Sequence, residues 1–114
     1  MYSLEPTHLT GSDVMHVRAA LNLLRSDFAA VLGVHRATVI RWERREQTPL
    51  ALVGLPRDLL FALHDVIVVR HYPVDRVRET GRRVRQCLLR KGRLAALTEL
   101  MQLASLTPGV SMFF

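Results

Sequence analysis

The sequence has few of the residues that would cross-link a fold, anchor it in a membrane or leave it disordered. Its 114 residues include one cysteine, Cys87, which excludes an internal disulfide and favours a reducing compartment. No uninterrupted apolar run approaches the roughly 20 residues that span a bilayer, and none follows a basic start, so we expect a cytoplasmic protein without a signal peptide or a membrane partner. With 49% hydrophobic residues, five prolines and six glycines, the composition predicts a packed domain.

Motifs that carry catalysis or bind cofactors are equally scarce. The chain contains no phosphate-binding glycine loop, no nucleophile elbow and no cysteine–histidine pair in a suitable setting. Five histidines, at positions 8, 16, 35, 64 and 71, show no metal-ligand spacing with Cys87, and we interpret them as ordinary helix-surface residues. We therefore predict that the protein is not an enzyme and uses neither a metal nor another cofactor.

Acidic residues are outnumbered by basic ones, 10 against 16, which gives a net charge of +6 and a sequence pI near 11.0. Lysine is nearly absent, because Lys91 is the single lysine among the basic residues. A basic balance favours a polyanionic partner, since neutralising phosphates releases counterions. A GC-rich genome would also enrich arginine, so the charge supports a nucleic-acid partner without establishing one.

Apolar residues recur at helical spacing along most of the chain, which predicts an all-α fold. Thr10 or Ser12 can cap the first helix, and Gly33 can provide the left-handed turn that ends the second. The β-branched run 66–69 could form a short strand, but the continuous apolar stripe before it favours a helix. We expect helices at about 12–22, 25–32, 35–45, 56–71, 74–90 and 93–105.

The segment 28–44 has the pattern of a helix–turn–helix. A helix rich in small residues ends at Gly33, and in the next helix apolar positions alternate with basic ones. The apolar positions are Val34, Val39 and Trp42, and the basic ones are Arg36, Arg41 and Arg44. Such alternation is typical of a helix with one face on a core and the other in a DNA groove. A third helix of 11 residues would be about 16 Å long, and a major groove about 12 Å wide admits it.

The segment from Val14 to Pro49 resembles the phage-repressor and Cro-like helix–turn–helix family, often called XRE, without insertions. The matching positions are Val14, Val17, Arg18, Leu23, Ala29, Leu32, Gly33, Val34, Arg36, Thr38, Val39, Trp42, Glu43, Glu46 and Pro49. The resemblance implies five short helices, of which the second and third bind DNA and cross at Ala29. It also implies a buried ion pair between Arg18 and Glu43, which is structural and makes no DNA contact.

The same resemblance implies which side chains face DNA. Base edges would be contacted by Arg36, Ala37 and Arg41, and the backbone by Arg25, Thr38, Arg44 and Arg45. Arginine suits this role because its two-pronged guanidinium matches O6 and N7 of guanine. His35 and Ile40 complete the candidate set. Ile40 is an apolar residue at a position that is usually exposed to solvent in the family. It therefore contacts DNA or a partner, or it is simply a lone exposed side chain.

Departures from the family pattern concern mainly the helix caps. Leu24 stands where a serine or threonine usually caps the second helix, and Arg25 replaces the usual glutamine. His35 is a poor cap for the third helix, and Arg45 sits where a glycine is common. These residues affect the cap geometry and base-reading details more than the helical scaffold.

The C-terminal part combines a basic helix with an apolar stripe, and each permits two interpretations. The basic residues between 74 and 93 form either a second surface for phosphates or an acidic partner, or a solvated face. The stripe Val74, Val77, Gly81, Val84 and Leu88, the last helix and the Phe113–Phe114 tail either complete a monomeric core or form a dimer interface. We favour dimerisation, because phage-repressor-like proteins usually read two half-sites about one DNA turn apart. We therefore divide the chain into a DNA-binding domain, 12–72, and a dimerisation element, 73–114.

These observations predict a lambda-repressor-like N-terminal bundle with additional C-terminal helices. Its function would be that of a sequence-specific transcriptional regulator, binding double-stranded DNA as a homodimer through helix 35–45. One alternative is an antitoxin-type interaction module that neutralises a toxin or other partner protein and also binds its own operator. Another is an architectural protein that binds DNA without sequence preference.

Overall fold

The computed structural model describes residues 8–106, and every regular element in that range is helical. The elements are α1 Gly11–Ala20, α2 Arg25–Leu32, α3 Arg36–Arg44, α4 Gly54–His64, a π-helical turn Asp65–Val69, α5 Val74–Arg90 and α6 Arg93–Ala104. The predicted all-α class is therefore confirmed. No helix in this described range is both long and apolar enough to cross a membrane.

Local sequence explains where α1 begins and where α2 ends. Of the two candidate caps, Thr10 is the one used: its hydroxyl accepts the Asp13 N–H at 3.3 Å, and the Asp13 carboxylate accepts the Thr10 N–H at 2.8 Å. This reciprocal pair satisfies two backbone donors that the helix itself leaves free. The second helix ends at Gly33, whose φ of 74° lies in the left-handed region that favours glycine.

The β-branched run 66–69 is helical, as predicted, but the helix is not uniform. It starts at Gly54, two residues before Pro56, and from Asp65 it widens into a π-helical turn. The Arg70 N–H donates to the Asp65 carbonyl at 2.9 Å, a five-residue spacing that adds one residue to the turn. His71 then adopts a positive φ of 53° and ends the helical path.

One hydrophobic core joins the N-terminal helices to α5 and α6, across the expected boundary at residue 72. Val77 and Val84 of α5 are at most 1% exposed and belong to the same cluster as Val14 and Val17 of α1. Gly81 allows the close approach, because a Cβ there would lie 1.8 Å from the Leu21 carbonyl oxygen.

The apolar stripe of α5 is thus covered largely within the chain. A homodimer contact through Val77 and Val84, the arrangement favoured above, would require this core to open. Val74, 64% exposed, and Leu88, partly buried, lie at its margins. The Phe113–Phe114 tail lies outside the described residues.

His64 differs from the expected surface histidine. Its side chain is buried at the end of α4, with Nε2 3.3 Å from Oδ1 of Asp13. Asp13 therefore serves both the cap of α1 and the packing of α4 on α1. Sequence spacing could not reveal this contact, because the two residues are brought together only by the fold.

Backbone hydrogen bonds join the start of α1 to the chain that follows α3. The N–H groups of Gly11 and Ser12 donate to the carbonyls of Arg45 and Glu46, each at 3.0 Å. The Leu50 N–H donates to the Leu9 carbonyl at 2.8 Å. Donors at the start of one helix are thus satisfied by acceptors beyond the end of another. These bonds hold α1 against the C-terminal end of α3.

Candidate nucleic-acid interface

The exposed side of α3 is built mainly from arginine. Successive residues turn by about 100° around an α-helix, so Ala37, Arg41 and Arg44 lie on the side opposite the buried Val39. Arg36 is also exposed, at the N-terminal end of the helix. The alternation in the sequence therefore corresponds to an inner apolar side and an outer cationic side.

The remaining candidates occupy the margins of this helix. Thr38 and Ile40 are half-buried, whereas His35 and Arg45 are exposed at its two ends. Trp42, expected in the core, is half-buried and packs against it. Ile40 is therefore less exposed than the family pattern implies.

The exposed arginines of α3 and of its C-terminal cap have no acidic side chain beside them in the described part of the chain. Within residues 8–106, no carboxylate lies within 4.0 Å of the guanidinium groups of Arg36, Arg41, Arg44 or Arg45. Arg41 makes only a long contact of 3.4 Å to the hydroxyl of Thr38. These side chains are free to meet an external anion without first breaking an ion pair.

The inner side of α3 contains a buried carboxylate held by arginines from two other helices. Glu43 accepts hydrogen bonds from Nε and a terminal nitrogen of Arg18, at 2.6 and 3.0 Å, and from Nε of Arg25 at 2.9 Å. Arg18 also donates to the Leu23 carbonyl at 3.0 Å. The expected Arg18–Glu43 pair is present, and Arg25 is an additional member. We call these three residues the clasp.

Burial and hydrogen bonding act in opposite directions on Glu43. Burial raises the pKa of its carboxyl, and the hydrogen bonds and positive charges of Arg18 and Arg25 outweigh that effect. The pKa is consequently below its ordinary value of 4.5. The carboxylate therefore remains ionised near neutral pH and fixes α3 against α1 and the start of α2.

Arg25 has a partner that sequence reasoning missed. The resemblance assigns it to DNA phosphate, but its guanidinium is paired with Glu43 and its side chain remains 46% exposed. Arg25 replaces the family's usual glutamine, so the resemblance does not imply this ion pair. Its place in the clasp is compatible with a phosphate contact from the exposed part.

The unusual cap residues of α2 and α3 provide no side-chain cap. The apolar side chain of Leu24 cannot accept a hydrogen bond, and the Leu24 N–H donates to the Asp27 carboxylate at 3.3 Å. His35 makes no side-chain cap at the start of α3.

Two arginines of the C-terminal helices donate hydrogen bonds to backbone carbonyls of the N-terminal part. Arg85 donates to the Asn22 carbonyl, and Arg93 donates to the Val31 carbonyl at 3.2 Å. Both contacts join residues more than 60 positions apart, so no local sequence pattern indicates them.

Residues 8–106 contain no group of three histidine, cysteine or acidic side chains placed to hold a metal ion. Comparisons with protein-family models, with curated proteins and with solved structures gave no match. The likeness to the phage-repressor family therefore rests on the residues quoted above.

Proposed function

We propose that the protein is a sequence-specific, double-stranded DNA-binding transcriptional regulator that inserts α3 into the major groove. The observation that carries the proposal is the set of four exposed arginines along α3 and at its C-terminal cap, Arg36, Arg41, Arg44 and Arg45, which lack carboxylate partners within residues 8–106. A cationic surface on a short helix attracts phosphate and can present donors to base edges. The cytoplasmic location predicted from the sequence belongs to this proposal.

The dimensions and chemistry of α3 suit this role. Its nine residues are about 13 Å long, and a major groove about 12 Å wide admits a helix. We assign Arg36, Ala37 and Arg41 to base edges, because the arginines can form paired hydrogen bonds with guanine and Ala37 can contact a thymine methyl.

Backbone contacts are assigned to the surrounding side chains. The assigned residues are Thr38, Arg44, Arg45 and the exposed part of Arg25. His35 and Ile40, at the start and margin of α3, remain candidates for contacts at the groove edge. Phosphate contacts of this kind fix register and orientation, whereas base contacts select the sequence.

The proposal includes a homodimer that reads two half-sites, because one short helix contacts few base pairs. The α5 stripe is inside the monomer core, so the two copies would meet through another face. Sedimentation of the protein with and without its selected duplex tests this part. A single protomer on a non-palindromic site would contradict the dimer while leaving DNA recognition intact.

The central experiment begins by selecting preferred duplexes from a random library and then measures competition in gel shifts. Arg41→Ala should reduce the preference for the selected duplex over random DNA, because each good arginine–guanine pair contributes about 1–3 kcal/mol of discrimination. Arg44→Ala should weaken binding to both duplexes and flatten the salt dependence. Arg57→Ala, which removes an arginine of α4 that contacts Asp58 and Phe61, is the control for the same change in net charge.

Two outcomes would contradict the assignment. If Arg41→Ala keeps the full preference for the selected duplex, then Arg41 does not read bases. If the selection yields no preferred sequence while binding remains strongly salt-dependent, the protein is an architectural DNA binder.

A second candidate function is suggested by exposed apolar side chains beside the turn between α5 and α6. Leu89 is 81% exposed and Leu94 74% exposed. Such side chains suit a protein partner, as in an antitoxin-type module that also binds its own operator. Co-purification with the product of a neighbouring gene, abolished in Leu89→Ser but retained in Arg41→Ala, would support this alternative.

A further inference from the structure

The arginines of α5 fall on two sides of the helix. At about 100° per residue, the buried Val77, Gly81 and Val84 define its inner side. One flank carries Arg78, Arg82 and Arg85, and the other carries Arg76, Arg83 and Arg90. We call the first the α2-side flank, because Arg85 contacts Asp27 of α2. We call the second the α6-side flank, because Arg83 contacts Glu99 of α6.

Contacts of Arg85 define the α2-side flank. Arg85 donates to the Asn22 carbonyl, and its Nε lies 3.5 Å from Oδ2 of Asp27 in α2. Arg78 lies seven residues earlier on nearly the same line, which is about 10.5 Å along the helix axis. Arg78 is exposed, and no carboxylate of residues 8–106 lies within 4.0 Å of it.

The opposite flank faces α6. Arg83 lies 2.7 Å from Oε1 of Glu99 and donates to the hydroxyl of Thr80 at 3.2 Å. Arg76 and Arg90 lie on this same side, about two turns before and after Arg83. This flank therefore turns away from α2.

Helix α2 separates α3 from the α2-side flank. Arg25 reaches Glu43 of α3, whereas Asp27 faces Arg85 of α5. Ser26 and Ala30, between these two sides, are exposed. The outer surface of α2 thus lies between α3, reached through Arg25, on one side and Arg85 of α5 on the other.

We propose that the α2-side flank is a second phosphate-contacting surface, which extends the duplex footprint along the backbone beyond the groove occupied by α3. This inference rests on the proposed function. In helix–turn–helix complexes the helix before the recognition helix crosses the DNA backbone, so an element beyond it meets neighbouring phosphates.

Carboxylates already present on this flank do not prevent such contacts. Arg82 pairs with Glu79 at 3.0 Å, and both side chains are well exposed. Exposed ion pairs are worth little, so phosphate can replace the carboxylate as the partner of Arg82. Arg78 has no such pair to exchange among the described residues.

The test uses two double variants of the full chain with the same change in net charge. Arg78→Gln with Arg82→Gln alters the α2-side flank, and Arg76→Gln with Arg90→Gln alters the α6-side flank. Glutamine keeps a helix propensity similar to that of arginine, and thermal melts check that both variants fold. The probe is a random-sequence duplex of about 30 base pairs, close to three helical turns. Its affinity is measured by fluorescence anisotropy at several salt concentrations.

We expect the α2-side variant to reduce the steepness of log K against log salt by about 1.8, or 0.9 for each phosphate that is no longer neutralised. The ratio of the wild-type affinity to the affinity of this variant would then fall about twelvefold between 50 and 200 mM salt. The α6-side variant should change the slope far less, because its arginines do not face the duplex in this arrangement.

Equal slopes for the two double variants would overturn the inference, whether both equal the wild type or both fall. Capture of an acidic protein through the α2-side flank, with an unchanged DNA slope, would overturn it as well. The proposed function fails separately, if the wild-type chain shows no duplex binding or if Arg36→Gln and Arg41→Ala leave sequence preference intact.

Discussion

The two most basic helices, α3 and α5, are held in the fold by opposite means. α3 contributes a carboxylate, Glu43, to arginines that come from α1 and α2, and its own arginines have no carboxylate partner among the described residues. α5 is held by an apolar inner side and by Gly81, while several of its own arginines pair with carboxylates at the surface.

This difference separates positive charge that supports the fold from positive charge that can reach a ligand. A run of arginine in a sequence does not distinguish the two. In α3 we expect the fold to depend on Glu43 and to tolerate changes to the exposed arginines. In α5 the fold depends mainly on shape, and its surface pairs contribute little.

The largest expected effect comes from breaking the clasp. Glu43→Gln leaves the mostly buried Arg18 without its counter-charge, and we expect a loss of about 3–5 kcal/mol in the free energy of unfolding. Chemical denaturation measures this loss. Glu46→Gln, at an exposed position one turn beyond, is the matched control and should change stability by no more than about 0.5 kcal/mol. Similar values for the two variants would contradict the role given to the clasp.

The dependence of stability on acidic pH should also report on the carboxylate of Glu43. The pKa of Glu43 is lowered in the folded protein, because hydrogen bonds from Arg18 and Arg25 outweigh the effect of burial. Its stabilising contribution is therefore present above the ordinary pKa of 4.5 and is lost as the pH falls through the lower folded value. Wild-type stability should fall more steeply below that pH than that of Glu43→Gln. Parallel pH profiles would show that Glu43 does not contribute in this way.

The anchoring of α5 by shape predicts the next largest effect. In Gly81→Ala the new Cβ would lie 1.8 Å from the Leu21 carbonyl oxygen, so α5 must move away from α1. We expect a net loss of about 1–3 kcal/mol, even though alanine favours a helix over glycine. Gln86→Ala, on the outer side of α5, isolates the helix propensity and should leave the melting temperature nearly unchanged. A stabilised Gly81→Ala protein would contradict the close packing of α5 on α1.

A smaller effect is expected from the surface pairs of α5. Arg83→Gln removes the ion pair with Glu99 but leaves the apolar inner side intact, and the loss should be at most about 1 kcal/mol. The loss should shrink in high salt, because screening weakens pairs at the surface. Arg76→Gln, without a carboxylate partner in the described range, serves as the control. A loss comparable to that of Glu43→Gln would erase the contrast between the two helices.

The smallest effect on stability is expected at the exposed N-terminal end of α3. Arg36→Gln should change the free energy of unfolding by no more than about 0.5 kcal/mol, because the side chain is exposed and lacks a carboxylate partner within residues 8–106. The same variant should lose about 1–3 kcal/mol of discrimination between selected and random duplexes. Denaturation and competition binding on one preparation measure both quantities. A destabilised variant would place Arg36 with the residues that support the fold.

Local patterns predicted the helices well, because helical spacing, caps and glycine turns are properties of neighbouring residues. Thr10 caps α1, Gly33 ends α2, and the β-branched run 66–69 is helical. The exposed position of Arg41 likewise follows from its phase relative to Val39.

Contacts between distant residues were predictable only where a family resemblance supplied them. The resemblance implied the Arg18–Glu43 pair, whereas nothing local indicated the second arginine of the clasp, Arg25, or the burial of His64 against Asp13. The apolar stripe on α5 permits a monomer core or a dimer interface, and the sequence favours the dimer only through the family resemblance. The direction in which α5 folds back decides between them, and that direction depends on long-range packing.

The hydrogen bond between Leu50 and Leu9 joins the two ends of the segment that contains α1, α2 and α3 inside the core. Leu50 and Ala51, next to this bond, line one surface depression with Arg41 and Arg45 near the C-terminal end of α3. A fluorescent label introduced at Ala51, which is exposed, would therefore report directly on any ligand that approaches Arg41 and Arg45.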